Sequence, residues 1–363
     1  MMRVDAAPLR GFVADLLSDA GLDKVYATTV ADVLVEGDLM GHETHGVALV
    51  PSYLAEIAAG RTTLSGQPDR KTGGVSAQSW DGKWLPGPVL VRMALDHASQ
   101  MAQDTGIGCI AMSRSQHIAC LAAYLLPVTE AGLAAIITSS SPTTQSVAPF
   151  GATAGTYSPN PIAAGWPTTG DPVIFDISTS ITTNGLVAAK KAEAAPMPGQ
   201  WLSDADGHPT DDPTVIGQGG ALMPTGGTDH GHKGFALGLL VEMLTSGLAG
   251  FGRADTPDRW GAVVNVLVFD PSKFGGAEPF RRQTEDIRTA CRTASVPDGA
   301  APVRIPGQNA LRRRQEQIHA GVSLPPALIA RLTALNPDIP FPATHDQSDG
   351  DNLTSTTKAR IPT

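Results

Sequence analysis

The feature that most limits the fold of this chain is a change of texture near residue 61. Before it, apolar residues recur at helical spacing. Leu9, Phe12, Val13, Leu16 and Leu17 form one stripe; Val25, Val30, Val33, Leu34 and Leu39 form a second, with Asp23 placed to cap its helix. After it, short β-prone runs alternate with helical stretches. Ile107–Met112, Leu133–Thr138, Val173–Asp176 and Ala262–Phe269 read as strands, whereas Val89–Ala102, Ile118–Ala131 and Phe235–Leu248 read as helices. Such alternation predicts an α/β fold with a mixed sheet. From about residue 304 the pattern returns to helix, with Leu324–Leu335 a helical stretch. The expected organisation is a helical part over 1–62, an α/β core over 63–303, a second helical part over 304–340 that packs with the first, and a disordered polar tail over 341–363.

Composition narrows the function classes. Of 363 residues, 42% are hydrophobic and 17% charged, which suits a globular chain with a buried core. The net charge is −9 and the pI about 5.4. The longest basic run is Arg312-Arg313-Arg314, read as one solvated helix turn, so nucleic-acid binding is not expected. Three cysteines, Cys109, Cys120 and Cys291, lack the Cys-x-x-Cys spacing of a zinc site and do not form a disulfide framework. Cys109 and Cys120 lie in apolar runs and are expected to be buried thiols. Asp5 and Asp15 argue against a signal peptide, and Phe235–Leu248, broken by Glu242, is too short to span a bilayer. A soluble cytoplasmic protein without a membrane partner is expected.

The match Gly106-x-Gly108-x-x-Ala111 is not read as a dinucleotide fingerprint. The fingerprint runs strand, glycines, helix, and here the helix comes first; Gly106 reads as a helix C-cap. Four polar islands carry the chemistry instead. In Gly41-His42-Glu43-Thr44-His45-Gly46-Val47, His45 can exchange protons near neutral pH, Thr44 can orient its ring, and Gly46 leaves room for a substrate. Ser115-Gln116-His117 reads as a strand end that opens a helix, whose amides can bind a cofactor phosphate or be capped by the serine. Asp176-Ile177-Ser178-Thr179-Ser180 offers a carboxylate to orient a catalytic histidine and hydroxyls for a ribose or nicotinamide amide, or else a helix cap. His230-Gly231-His232-Lys233-Gly234 puts a lysine at the expected start of an apolar helix, against the macrodipole; this points to a ligand anion, or to a solvated loop. A metal-dependent enzyme using His42, His45, His230 and His232 is an alternative, although no His-Glu-x-x-His motif is present. Asp204-x-Asp206-Gly207 reads as an Asp-Gly turn rather than a calcium loop. No Gly-x-Ser-x-Gly elbow occurs.

Taken in order over about residues 8–335, these segments resemble the malate/L-lactate dehydrogenase family that is unrelated to the Rossmann-type lactate dehydrogenases, with sulfolactate, ureidoglycolate, diketogulonate and piperideine-carboxylate oxidoreductases among its members. Thr44-His45-Gly46-Val47 resembles the family's Ser-His-Gly-Val, and Ser115-Gln116-His117-Ile118-Ala119 its Ser-Asn-His-Phe-Gly. Asn160-Pro161-Ile162-Ala163 and Asp176–Ser180 resemble its Asn-Pro-Ile-Ala and Asp-Met-Ala-Thr-Ser. Asp206–Thr210, Gly226-Gly227, His232–Phe235 and Pro306-Gly307-Gln308 complete the set.

The resemblance implies a non-Rossmann NAD(P)-binding α/β core, a helical domain formed by both chain ends, and a homodimer. It implies an NAD- or NADP-dependent oxidoreductase for 2-keto and 2-hydroxy acids or related carbonyl or imine substrates, without a metal. His45 would be the acid/base, with Thr44 and Asp176 orienting it. His117, Ile118, Ala119, Ser140, Ile177, Ser178, Thr179, Ser180, His232, Lys233, Gly307 and Gln308 would line the cofactor site. Leu49, His117 and Arg114 would meet the substrate. Some departures from the family bear on the pocket. Leu49 stands where the family has arginine, Gln308-Asn309 replaces Glu-Arg, Gln116 replaces asparagine, and Ala119 replaces glycine. Leucine cannot hold a carboxylate as a guanidinium does, so either the pocket is more apolar or Arg114 supplies the anchor. A non-catalytic cofactor-binding relative is the remaining alternative.

Overall fold

A computed structural model describes residues 1–346. In chain order its elements are β1 (Met2–Val4), α1 (Ala6–Asp19), α2 (Lys24–Met40), α3 (Val50–Ala58), β2 (Asp69–Gly73), β3 (Ala77–Asp81), α4 (Gly87–Thr105), β4 (Ile107–Ser115), α5 (Leu125–Glu130), β5 (Ala134–Ser140), β6 (Ile162–Trp166), β7 (Val173–Ile177), α6 (Asn184–Ala192), β8 (Leu202–Ser203), β9 (Pro209–Thr210), β10 (Ala221–Leu222), α7 (Gly227–Glu242), β11 (Ala262–Phe269), α8 (Ala277–Arg292), α9 (Gln308–Ala320), β12 (Val322–Leu324), α10 (Pro326–Thr333) and β13 (Thr344–Asp346). They form two compact units: Met1–Gly60 with the chain from Asn309 onward, and Arg61–Gln308. No helix among the described residues is long and apolar enough to cross a membrane.

The first unit is helical and built from both chain ends. Leu9, Phe12, Val13, Leu16 and Leu17 of α1 are buried, as are Val30, Val33, Leu34 and Leu39 of α2. The Asp23 carboxylate accepts from the Val25 and Tyr26 amides and so caps α2. At the other end of α2, Gln317 of α9 donates to the Asp38 and Leu39 carbonyls, in the last turn, where a helix makes fewer bonds of its own. Arg314 meets Glu36, which also binds Arg10, so the Arg312–Arg314 run is not a solvated turn: its third member ties α9 to α2. A small antiparallel sheet, β12-β1-β13, sets Met2–Val4 between Val322–Leu324 and Thr344–Asp346. Thr344–Asp346 therefore form a strand where the polar composition predicts a disordered tail, because β1 offers them an edge. The rest of that tail, 347–363, lies outside the described residues.

The second unit carries a seven-stranded sheet in the order β2-β3-β4-β11-β5-β6-β7. Only β3 and β4 run parallel, joined through α4; the other pairs are antiparallel, so the sheet is mixed. Ile110, Met112, Ile137, Val264, Val266 and Val268 of the central strands are fully buried. Each such side chain contributes roughly 1.5–3 kcal/mol. Near-continuous apolar strands fit a sheet covered by neighbours such as α4, which packs on β4 and β11.

The two glycines after α4 have structural roles. Gly106 ends the helix in the left-handed region at φ +95°, with its amide on the Ala102 carbonyl. Gly108 opens β4 under α4, where a Cβ would stand 2.0 Å from the Ala98 carbonyl oxygen. Gly108→Ala should therefore force α4 off β4 and cost about 1–3 kcal/mol. The denaturation midpoint measures it, and an unchanged midpoint would contradict this packing.

Candidate active site

In the helical unit, the segment after α2 is built as a compact hook. Gly41 adopts φ +86°, with the Arg313 guanidinium 2.1 Å from where a Cβ would lie. The Gly41 and His42 amides return to the Asp38 and Gly37 carbonyls. A 3₁₀ turn, Glu43–His45, follows, closed by the His45 amide on the His42 carbonyl at 2.8 Å. Thr44 Oγ1 lies 2.9 Å from His45 Nδ1 and so fixes one ring nitrogen. Leu49 ends a second 3₁₀ turn, Val47–Leu49, that leads into α3.

Sequence reading overlooks what lies beneath this hook. Asp38, in the last turn of α2, is 3% exposed. Its Oδ2 accepts the Val47 amide at 2.7 Å, while its Oδ1 is buried without a partner. Burial pushes the carboxyl up to about 8; the Val47 amide opposes this, and Glu43 adds to it. A Cβ on Gly46 would stand 2.0 Å from Asp38 Oδ1. The missing side chain at Gly46 thus makes room for Asp38, not for a substrate as its sequence position suggests.

In the core, several candidate segments converge at the β7 edge of the sheet. Asp176 sits on β7 opposite Ala163 of β6. Its Oδ2 accepts the Leu121 and Ala122 amides at 2.9 and 3.1 Å and the Cys120 thiol at 3.6 Å. Burial and the neighbouring carboxylate hold that thiol well above the usual range, so Cys120 stays protonated and donates. The helix expected over Ile118–Ala131 is accordingly shorter. Ala119 turns into the left-handed region at φ +57°, a 3₁₀ turn spans Leu121–Tyr124, and α5 begins only at Leu125. Ser115-Gln116-His117 thus opens no helix, and the free amides beyond it are bound by Asp176 rather than left for a phosphate.

His117 stacks on Trp260 with ring centroids 4.7 Å apart and accepts the Ala119 amide on Nδ1. The hydroxyls of the next segment point inward: Ser178 donates to the Ser180 carbonyl, Thr179 to Pro159 and Ser180 to Thr182. Each of these hydroxyls directs its proton to a carbonyl of the fold, which shapes the loop. Ile177 is 53% exposed at its tip. Gly307 rests on β7, where a Cβ would be 2.4 Å from the Ile174 carbonyl, and Gln308 accepts the Ile305 amide.

α7 is two helical segments joined across a kink at His230, and His232–Gly234 lie in the first turn of the second segment, so Lys233 stands at a helix start as its sequence position suggests. Gly234 lets α7 seat on Thr225 and Thr179, with a Cβ position 2.4 Å from the Thr225 amide nitrogen. His232 meets Phe150 edge-on, and Lys233 is exposed with no ion pair among the described residues. Within the core, His230 and His232 join no cluster of three metal-ligating side chains among the described residues.

Two candidates stand apart from this edge. Arg114 lies on β4, four strands from β7, and its guanidinium grips the buried Asp81 with Nε 2.8 Å from Oδ1. A carboxylate of the protein already occupies the fork proposed as a substrate anchor. Ser140 is buried and bonded to Thr245 and Ser246, in the π-helical turn after α7. A polar network was also missed. Asn160, at φ +44°, donates to Glu242 and to the Gly238 carbonyl, and Arg253 binds Glu242 together with the Pro142 and Thr144 carbonyls. Its sequence signals are Glu242, an acid interrupting an apolar helix, and Asn160, which heads the Asn160–Ala163 segment. A cavity of about 610 Å³ between β2, β3 and α4 includes none of the candidate residues.

A mixed sheet lacking the glycine-rich strand-to-helix turn, in a chain whose two ends form a helical unit, defines a non-Rossmann α/β oxidoreductase fold. The chain belongs to the malate/L-lactate dehydrogenase family, whose model matches residues 4–333. It is 28% identical over 327 residues to an NAD(+) ureidoglycolate dehydrogenase of Escherichia coli O157:H7, covering 87% of this chain and 91% of that one. It is 29% identical over 329 residues to a (2R)-3-sulfolactate dehydrogenase (NADP(+)) of Chromohalobacter salexigens, covering 88% and 93%. The solved delta1-piperideine-2-carboxylate reductase of Pseudomonas syringae pvar. tomato superposes with a TM-score of 0.82 at 27% identity, covering 93% of this chain and all of that one.

Proposed function

We propose that this chain is an NAD- or NADP-dependent oxidoreductase that interconverts a small 2-hydroxy acid and its 2-keto acid, or reduces the C=N bond of a related imino acid. The observation that carries the reading is the Thr44–His45 pair on its anchored hook. With Nδ1 held by Thr44, proton exchange is assigned to Nε2. On reduction His45 gives a proton to the substrate oxygen or nitrogen; on oxidation it takes the proton back. The bound nicotinamide supplies the hydride chemistry. The core Arg61–Gln308 is given the cofactor. Lys233, with no anionic partner among the described residues, suits its phosphates, and the internally bonded 177–180 loop and Gly307 give a fixed surface at the same sheet edge. Asp176, which the resemblance assigns to orienting the imidazole, acts in this reading first by ordering segment 118–122.

His45→Ala should lower kcat by about 10²–10⁴-fold while the thermal shift given by NADH or NADPH persists. Turnover equal to wild type would remove His45 from the mechanism. Binding without turnover of any keto or imino acid by the wild type would favour a non-catalytic relative.

Because Arg114 is engaged by Asp81, the substrate pocket is assigned its apolar form at Leu49. Leu49→Arg should raise kcat/KM for pyruvate or oxaloacetate about tenfold, the effect of roughly 1.4 kcal/mol from one charged hydrogen bond. No gain across a panel of keto acids would refute this account of the pocket.

A homodimer is proposed on the evidence of α7 and the turn that follows it. Leu237, Leu240 and Met243 are 41–49% exposed at helical spacing, an apolar strip that a soluble monomer rarely leaves in water. Leu240→Glu should lower the mass measured by light scattering from dimer to monomer, and a monomeric wild type would end the proposal.

A further inference from the structure

The Asp38 carboxyl touches the hook at two points. It accepts the Val47 amide at 2.7 Å, and it fills the space where Gly46 lacks a side chain. Its own backbone carbonyl is held by the Gly41 amide and by Gln317, so the group is fixed to the end of α2. His45 lies one residue before that clamped glycine, with its amide on His42. Movement of the Gly46–Val47 peptide therefore moves the imidazole. We propose that Asp38 is the positioning residue for His45: its buried carboxyl group clamps the Gly46–Val47 peptide and so fixes the turn from which the imidazole projects. The inference rests on His45 being the acid/base only for its effect on turnover; the clamp itself does not need it.

The chemistry favours a neutral clamp. The group lies at the negative end of the α2 dipole, and burial pushes it up to about 8. The charged and titratable groups around it are Glu43, His42 and His45 in the hook, Arg313 of α9 against Gly41, and Glu36, which is occupied by Arg10 of α1 and Arg314 of α9. Gln317, the α9 side chain on the Asp38 carbonyl, is uncharged. Between the ordinary value of 3.8 and about 8 the folded chain keeps a proton that the unfolded chain has released, so stability falls as pH rises across that window. Asp38→Asn keeps an acceptor for Val47 and has no proton to lose.

The test uses the full chain labelled with ¹⁵N-valine and with ¹³C,¹⁵N-histidine, assigned through Val47→Ile and His45→Gln. In the wild type the Val47 amide resonance should move with a midpoint near pH 8 between about pH 6 and about pH 10, and in Asp38→Asn it should stay still. The His45 ring signals should match wild type in Asp38→Asn and shift or broaden in Asp38→Ala. Asp38→Ala should lose about tenfold to a hundredfold in kcat at unchanged KM for the cofactor, with Asp38→Asn close to wild type near pH 7. A Val47 amide that does not titrate in the wild type, or His45 signals unchanged by Asp38→Ala, overturns the clamp. If Asp38→Ala does not fold, the Val47 titration in wild type and Asp38→Asn still decides. If the resonances behave as expected but His45→Ala retains turnover, the acid–base reading fails and the clamp stands.

Discussion

The core depends on one strand insertion. β11, residues Ala262–Phe269, lies between β4 and β5 and pairs with both along its length. Without it the sheet would be two separate pieces, β2-β3-β4 and β5-β6-β7, each with an edge of apolar residues and unpaired amides. Everything between β5 and β11, more than a hundred residues, is therefore an excursion that must return to a fixed register. That excursion contains β6, β7, the 176–180 loop and α7, and the Asn160–Glu242–Arg253 network holds its parts together. Asp176, the 177–180 segment and Gly307 lie on or beside β7 within this excursion or just after it, whereas Arg114 and Ser140 stand apart.

Much of this could be read from the sequence, for a simple reason. Strands buried on both sides spell near-continuous apolar runs, so β11 and most of β4, β5 and β7 follow from local pattern alone. The order helix–glycine–strand around Gly106 excluded a dinucleotide turn, and close packing at Gly108 supplies the physical reason for the second glycine. Asp23 and the Asp-Gly turn at Gly207 were legible because their partners are sequence neighbours.

What was not legible depends on residues far apart in the chain. Arg114 looks like a spare cation until Asp81, 33 positions earlier, is brought beside it on the parallel strand β3. The 118–131 stretch looks helical until Asp176 takes the Leu121 and Ala122 amides from 55 and 54 positions away. That the three hydroxyls at 178–180 each donate to a carbonyl of the fold was not legible either, since one partner, Pro159, is 20 positions away. Asp38 was invisible in the same way. In sequence it is an ordinary acid near a helix end, and only the approach of Gly46 and Val47 shows that it is buried.

The union of the two chain ends in one unit has a consequence for the cell. The end of α2, on which the His45 hook is built, is completed by Gln317, Arg313 and Arg314, nearly three hundred positions downstream. A chain released early from the ribosome, or clipped after the core, leaves the Asp38 and Leu39 carbonyls without Gln317 and Glu36 without Arg314. Such a fragment still holds every residue of the core sheet but not the support of its own histidine. A late-made helix, α9, thus completes an early-made turn, so the hook gains its full support only after the whole core has been synthesised.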